Sequence, residues 1–305
     1  MIQIYKSLEN KLQKLETWAP DTWVNVCQYT ADELKIVSDN TNIQYSLLLK
    51  LLDHHEIARI EVRDGDTLIV LKMPVKTSRG YRTIPLGIIV GEHHIVTVCQ
   101  DGEAFFQQMI ANQTVICHEK TNFTIQVFLK VASSYLIYLQ ALQTSLEKKE
   151  RALYQATNNN ALKGLLQIEK SLVYFINALN SNEIVLERIT MGTVLPLYQS
   201  DNILLEDAII ENKQAIAMAS LYQALLASLT ESYGTIISNN LNQVMKFLAG
   251  ITIVFSIPTM ISSFMGMNVP LGFFSHSVFA FSILVILSLI ISMIVAYIFK
   301  RKNWL

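Results

Sequence analysis

The rhythm of apolar and polar positions divides the chain into three stretches. Up to about residue 120, short β-branched runs alternate with helical ones. Residues 58–62, 67–73, 84–90 and 93–99 read as strands, punctuated by Asp64-Gly65-Asp66 and Gly91-Glu92. Helical patterns cover residues 30–37, 44–52 and 103–110, so this stretch is predicted to be an α/β or α+β domain. From about residue 122 the strand signals stop. Helical periodicity runs through Tyr154, from 161 to 179 and from 183 to 190, with a turn expected at Asn158-Asn159-Asn160. A last helix is expected to begin near Asn202. It meets no proline before Pro258, so at about 1.5 Å per residue it could run for roughly 90 Å into the apolar tail.

The third stretch decides the class of the molecule. No Asp, Glu, Lys or Arg occurs from Phe247 to Phe299. That gap holds two spans of about 20 residues and a short connection. The predicted spans are 247–264 and 278–299. Lys246 precedes the first, Lys300-Arg301-Lys302 follow the second, and the connecting loop carries no formal charge. Cationic flanks favour the cytoplasmic side, so both ends are expected inside the cell and the loop outside. Tyr297 and Trp304 suit the inner interface. The N-terminus lacks the apolar core of a signal peptide, so the first domain is likewise expected in the cytoplasm.

Composition narrows the function. About half the residues are apolar and mean hydropathy is positive, which is high for a soluble enzyme of this length. The net charge of −1 and the lack of a basic stripe exclude a general nucleic-acid binder. Cys27, Cys99 and Cys117 are widely spaced and read as reduced core thiols. No P-loop, GxSxG or HExxH motif occurs, and His54-His55 and His93-His94 lack the helical i, i+4 spacing of a zinc site. These features point away from an enzyme and imply no organic cofactor.

The first span is not uniformly apolar. Thr252, Ser256, Thr259 and Ser263 recur at steps of four, three and four, which puts them on one helical face, and Asn242, Met245 and Ala249 extend it. Small polar residues also pack helices together, so packing and pore lining both account for the stripe. Two helices cannot enclose water; a pore would need several copies around an axis. Pro258 would free the carbonyl of Val254, with Ser256 and Thr259 near enough to satisfy it.

Phe264-Met265-Gly266-Met267-Asn268 directly follows the first span, Asn242-Gln243-Val244-Met245-Lys246 opens it, and Phe299-Lys300-Arg301-Lys302-Asn303-Trp304-Leu305 closes the chain. Together these resemble the CorA family of divalent-cation channels. The likeness extends to 233–239, to Lys170-Ser171-Leu172-Val173-Tyr174-Phe175 and to the strand region before Pro74. It implies an α/β cytoplasmic domain followed by long helices and a C-terminal two-helix transmembrane hairpin, assembled as a homopentameric funnel in the cell's inner or plasma membrane. The division expected is an α/β domain over 1–120, a helical hairpin region over 121–201 and a stalk over 202–265 that includes the first span (about 247–265). An outer loop (266–277), the second span (278–299) and a basic tail (300–305) complete it.

The resemblance implies that Gly266, Met267 and Asn268 form a selectivity filter; as a glycine, Gly266 can take the left-handed conformation that ends a helix. It also implies that Asn242, Met245, Leu248, Thr252, Ser256, Thr259 and Ser263 line the pore, and that Asp207 and Asp53 contribute to a regulatory metal site. Lys50 stands where relatives carry the acidic partner of that site, and the outer loop lacks their acids, offering only His276. The expected partners are further copies of the chain, the lipid bilayer and a transported divalent cation. Mg2+ leads, with Co2+ and Ni2+ as further candidates. A zinc transporter of the same superfamily and a non-conducting membrane-anchored sensor or scaffold are the alternatives.

Overall fold

The computed structural model describes residues 1–8, 11–51, 53, 56–63, 65–111, 116–155, 159–267, 279–302 and 304. They form two compact units, Met1–Ser228 and Leu229–Leu305.

The first unit is built on a seven-stranded sheet. Its strands are β1 (Ile2–Leu8), β2 (Lys11–Leu15), β3 (Thr22–Cys27), β4 (Arg59–Arg63), β5 (Asp66–Thr77), β6 (Gly80–Val90) and β7 (His94–Cys99), in the order β2-β1-β3-β7-β6-β5-β4. All neighbours are antiparallel except β3 and β7, which run parallel with Trp23 beside Ile95 and Cys27 beside Cys99. All six residues of β3 are buried, as expected for a strand covered on both faces.

One face carries α1 (Ala31–Thr41) and α2 (Tyr45–Lys50). Val24 and Val26 of β3 pack there with Leu34, Val37, Leu47 and Leu48. Thr30 opens α1 with a reciprocal cap to Glu33, and Asn42 ends it in the left-handed region at φ 59°. Leu51 presses so close to the sheet that a Cβ on Gly87 would lie 2.2 Å from its Cδ1, which explains a glycine inside β6.

The other face receives α3 (Glu103–Ala111), α4 (Lys120–Gln155) and α5 (Asn159–Thr190). Trp23 sits at its centre, 5.6 Å from the ring of Phe106 and 5.1 Å from that of Phe123. Its indole N–H donates to Thr97 Oγ1, which donates to Asn25 Oδ1, so these three buried polar side chains are paired with one another. Tyr135 of α4 and Phe175 of α5 meet edge to face at 5.0 Å.

The last two helices are α6 (Gln199–Met265) and α7 (Ala280–Arg301). Within the first unit, α6 buries Asp201, Leu205, Ala208, Asn212, Ala215, Ala219, Tyr222 and Leu226. The alternating steps of four and three make a narrow coiled-coil-like seam. Tyr222 donates to Gln143 of α4 at 2.7 Å, and Asn212 Nδ2 to Leu179 O of α5 at 3.2 Å.

Among the described residues, three helices are long and apolar enough to cross a membrane: α4, α6 and α7. Burial separates them. Within the most apolar window, 44% of α4 is buried in the fold, against 6% for α6 and 11% for α7. The apolar surface of α4 therefore serves the sheet, while that of the other two remains uncovered by the chain itself.

Candidate functional site

In the second unit, the packed positions of α6 and α7 form one stripe on each helix. On α6, Gly250 is buried and Ile251, Val254, Ile257, Pro258, Ile261 and Met265 are partly buried. On α7, Ser288 and Ser292 are buried, with Leu284, Ile291, Val295, Ala296 and Phe299 partly so. The seven pore-lining candidates lie elsewhere: Asn242, Met245, Leu248, Thr252, Ser256, Thr259 and Ser263 are all exposed. The polar stripe thus does not pack against α7.

Three of its hydroxyls are tied to their own helix. Thr252 Oγ1 donates to Leu248 O at 2.8 Å, Ser256 Oγ to Thr252 O at 2.6 Å and Thr259 Oγ1 to Phe255 O at 3.0 Å. This corrects one expectation from the sequence. Ser256 and Thr259 do not satisfy the carbonyl that Pro258 frees. The hydroxyl directed at it is that of Ser292 on α7, whose Oγ makes a long hydrogen bond to Val254 O at 3.4 Å. The sequence signal available for this residue was the i, i+4 pair Ser288 and Ser292 on the second span, at the spacing of one helical face.

The end of α6 brings a second correction. Gly266 is not left-handed, since among the described residues the glycines with positive φ are Gly65, Gly80 and Gly192. Its N–H is shared between Ser262 O at 3.1 Å and Ser263 O at 3.2 Å, and Met267 N donates to Phe264 O at 3.4 Å. The chain therefore leaves α6 through a tightened last turn rather than a left-handed cap. Gly266 and Met267 are both exposed. Asn268, the third filter candidate, and His276 lie outside the described residues.

At the other end of the pair, Lys300 and Arg301 occupy the last turn of α7, where cations complement the helix dipole. The tail folds back: Trp304 N donates to Phe299 O at 2.9 Å and the two rings stack at 5.3 Å.

Asp207 and Asp53, the regulatory candidates in the first unit, are both exposed. Among the described residues, no group of three or more His, Cys, Asp or Glu side chains is placed to hold a metal ion. Glu211, near Asp207 on α6, is hydrogen-bonded by Ser133 of α4. Lys50 pairs with Glu61 at 3.0 Å, with Arg59 and Arg63 also at that carboxylate. The hydrogen bond from Lys50 leads the forces that hold the Glu61 carboxyl below its usual range.

Residues 21–301 match the profile of the family described as CorA-like Mg2+ transporter protein. The chain belongs to that family. Among its relatives, the cobalt/magnesium transport protein CorA of Methanocaldococcus jannaschii is 26% identical over 289 residues, which is 93% of this chain and 91% of that protein. The CorA of Thermotoga maritima, described in the same words, is 20% identical over 299 residues, 93% of this chain and 83% of that one. The complete structure of the CorA magnesium transporter from M. jannaschii superposes with a TM-score of 0.88 at 25% identity, covering 100% of this chain and 99% of the other. The CorA-like fold thus comprises the α/β domain, the long helices and the C-terminal helix described above, and its apolar α6 and α7 belong to a family of membrane proteins.

Proposed function

We propose that this chain is the subunit of a homopentameric CorA-type channel that carries Mg2+ into the cell, with Co2+ and Ni2+ as further permeant ions. The observation that carries this reading is the division of α6 into a face held against α7 and an opposite, exposed face bearing Asn242, Met245, Leu248, Thr252, Ser256, Thr259 and Ser263. A polar stripe turned away from its only neighbour in the hairpin suits a path shared by several copies, with α7 toward lipid. Ile203, Ile210, Leu221 and Leu225 are also exposed along α6, which suits contact between copies.

The chemistry fits a hydrated cation. Mg2+ gives up water reluctantly, so neutral oxygens that receive its hydration shell serve conduction better than a carboxylate cage that would trap it. Gly266, Met267 and Asn268 supply such a ring at the mouth, with Asn268 presenting its amide oxygen. Each of five α6 C-termini adds about half a negative charge there, attracting cations without an acidic residue. Two charges moving through 100 mV release about 4.6 kcal/mol, so inward movement requires no ATP. In this reading residues 1–120, 121–201, 202–265, 266–277, 278–299 and 300–305 are the cytoplasmic domain, hairpin region, stalk with first span, outer loop, second span and cytoplasmic tail. Asp207 and Asp53 contribute to a regulatory Mg2+ site formed only between copies.

The test is flux in proteoliposomes. Asn268→Ala abolishes Mg2+ uptake while the purified oligomer keeps its size; undiminished uptake overturns the filter assignment. Running Mg2+, Co2+ and Zn2+ side by side ranks the ions, and a protein that passes Zn2+ but not Mg2+ is a zinc transporter of the same architecture.

A further inference from the structure

We propose that Ser292 is a positioning residue of the conduction path: its hydroxyl completes the break that Pro258 makes in α6 and so fixes the rotation of the outer part of the polar stripe. The proposal rests on reading that stripe as pore-lining.

Proline has no N–H, so Val254 O, four residues earlier, loses its regular helical donor. At membrane depth no water replaces it. The hydroxyls nearest in sequence are engaged elsewhere, Ser256 on Thr252 O and Thr259 on Phe255 O. Of the two buried serines on α7, Ser288 turns back to Val285 O of its own helix at 2.9 Å. Ser292, 8% exposed, reaches across to Val254 O. The bond ties together two helices whose other packed positions are apolar, glycine and proline included, apart from Ser288, whose hydroxyl is turned back to its own helix. Apolar packing sets a distance and leaves rotation loosely specified; a directional bond specifies it.

Its location gives it leverage. Beyond the break, α6 carries Thr259 and Ser263 and runs to Gly266 and Met267, while Thr252 and Ser256 precede it. Kinks form at proline because the ladder is interrupted, and the group that takes up the freed carbonyl sets how far the outer segment turns relative to the inner one. Ser292 acts from the second span on residues that line the first.

A double-mutant cycle on the full-length protein tests this. Ser292→Ala is expected to lower the melting temperature of the solubilised oligomer and to cut Mg2+ flux in liposomes several-fold. Ser292→Thr, which keeps the hydroxyl, restores both. In a Pro258→Ala background the backbone regains its N–H, and Ser292→Ala is expected to lose its effect on melting. An equal effect in both backgrounds overturns the tether, and unchanged flux in Ser292→Ala overturns the positioning role. Should Pro258→Ala fail to assemble, a cysteine at Thr259 replaces that arm: Ser292→Ala must change its rate of labelling by a methanethiosulfonate reagent while leaving that of a cysteine at Thr252 unchanged, and equal rates overturn the proposal. Undiminished flux in Asn268→Ala falls on the filter assignment alone, because the melting cycle does not depend on conduction.

Discussion

Asn182 of α5 holds the main chain of Lys72 in β5 at both its polar groups, accepting from the N–H at 2.8 Å and donating to the carbonyl at 2.8 Å. The pairing of β4 with β5 reaches only to Val70, so Lys72 lies beyond the end of its neighbour, and one amide side chain takes the place of the missing strand. Tyr135 adds a second donor to the same carbonyl at 2.9 Å. Asn182→Ala removes the clamp and strands a main-chain N–H under a helix. The expected cost is about 2 kcal/mol, seen as a lower melting temperature with the oligomer's size unchanged.

His94 gives the first unit a dependence on pH. Thr22 Oγ1 donates to Ala19 O, so at the 3.1 Å contact with His94 the ring Nδ1–H is the donor. Burial pushes the imidazole below its ordinary value of 6.5, and neighbouring His93 and Lys120 push the same way. The unfolded chain therefore binds the proton first as pH falls. Stability is complete above about pH 6.5 and declines as the pH drops from there through the lower folded value. Melting curves between pH 8 and pH 5 should show this slope, and His94→Gln should flatten it.

The three thiols should be inert in the folded protein. Burial leads in raising each of them, Cys27 to about 11 and Cys99 and Cys117 above their ordinary value. All three are free and buried, so little thiolate forms and none is presented. A disulfide-exchange reagent is expected to count almost none in the native protein at pH 7.5 and three in guanidinium. Rapid native reaction of Cys27 or Cys117 would refute this.

Gly266→Ala separates fold from mouth. A Cβ at this position would meet Ser263 O at 3.5 Å, an ordinary contact, and no positive φ demands glycine. The melting temperature should stay within about 1 °C of the parent, consistent with a surface change. Five added methyl groups at the proposed mouth are expected to reduce Mg2+ flux. A large loss of stability would mean that the glycine serves the helix end instead.

The strands were legible where β-branched residues alternate and obscured where tertiary partners rescue poor strand formers. The sequence reading stops one strand at Met73, just before Pro74, and starts the next at Ile84, just before Pro85, yet β5 continues to Thr77 and β6 begins at Gly80. Pro85 lies opposite Lys72, whose main-chain groups are turned to Asn182, and Pro74, two residues on from Lys72, faces the same way. Neither proline interrupts a ladder bond there. β3 was missed because Asn25 is a poor strand former on its own; the hydroxyl of Thr97, 72 residues away, makes it acceptable. The reading also breaks α5 at Asn180-Ser181-Asn182, where the structure continues because Asn182 has work on β5. The hydroxyl stripe was visible from spacing alone. Its relation to Ser292 was not, since 38 residues and the rotation of a second helix separate that side chain from Val254.

The inward-turned hydroxyls of α6 carry one more implication. Thr252, Ser256 and Thr259 each place their single proton on a carbonyl of their own helix. What they offer outward is lone pairs alone. A hydrated cation presents water hydrogens, which such a row can accept; a hydrated anion presents water oxygens, for which it has no donor. In the proposed pore, uncharged side chains arranged in this way would favour a hydrated cation over a hydrated anion by the direction in which they point.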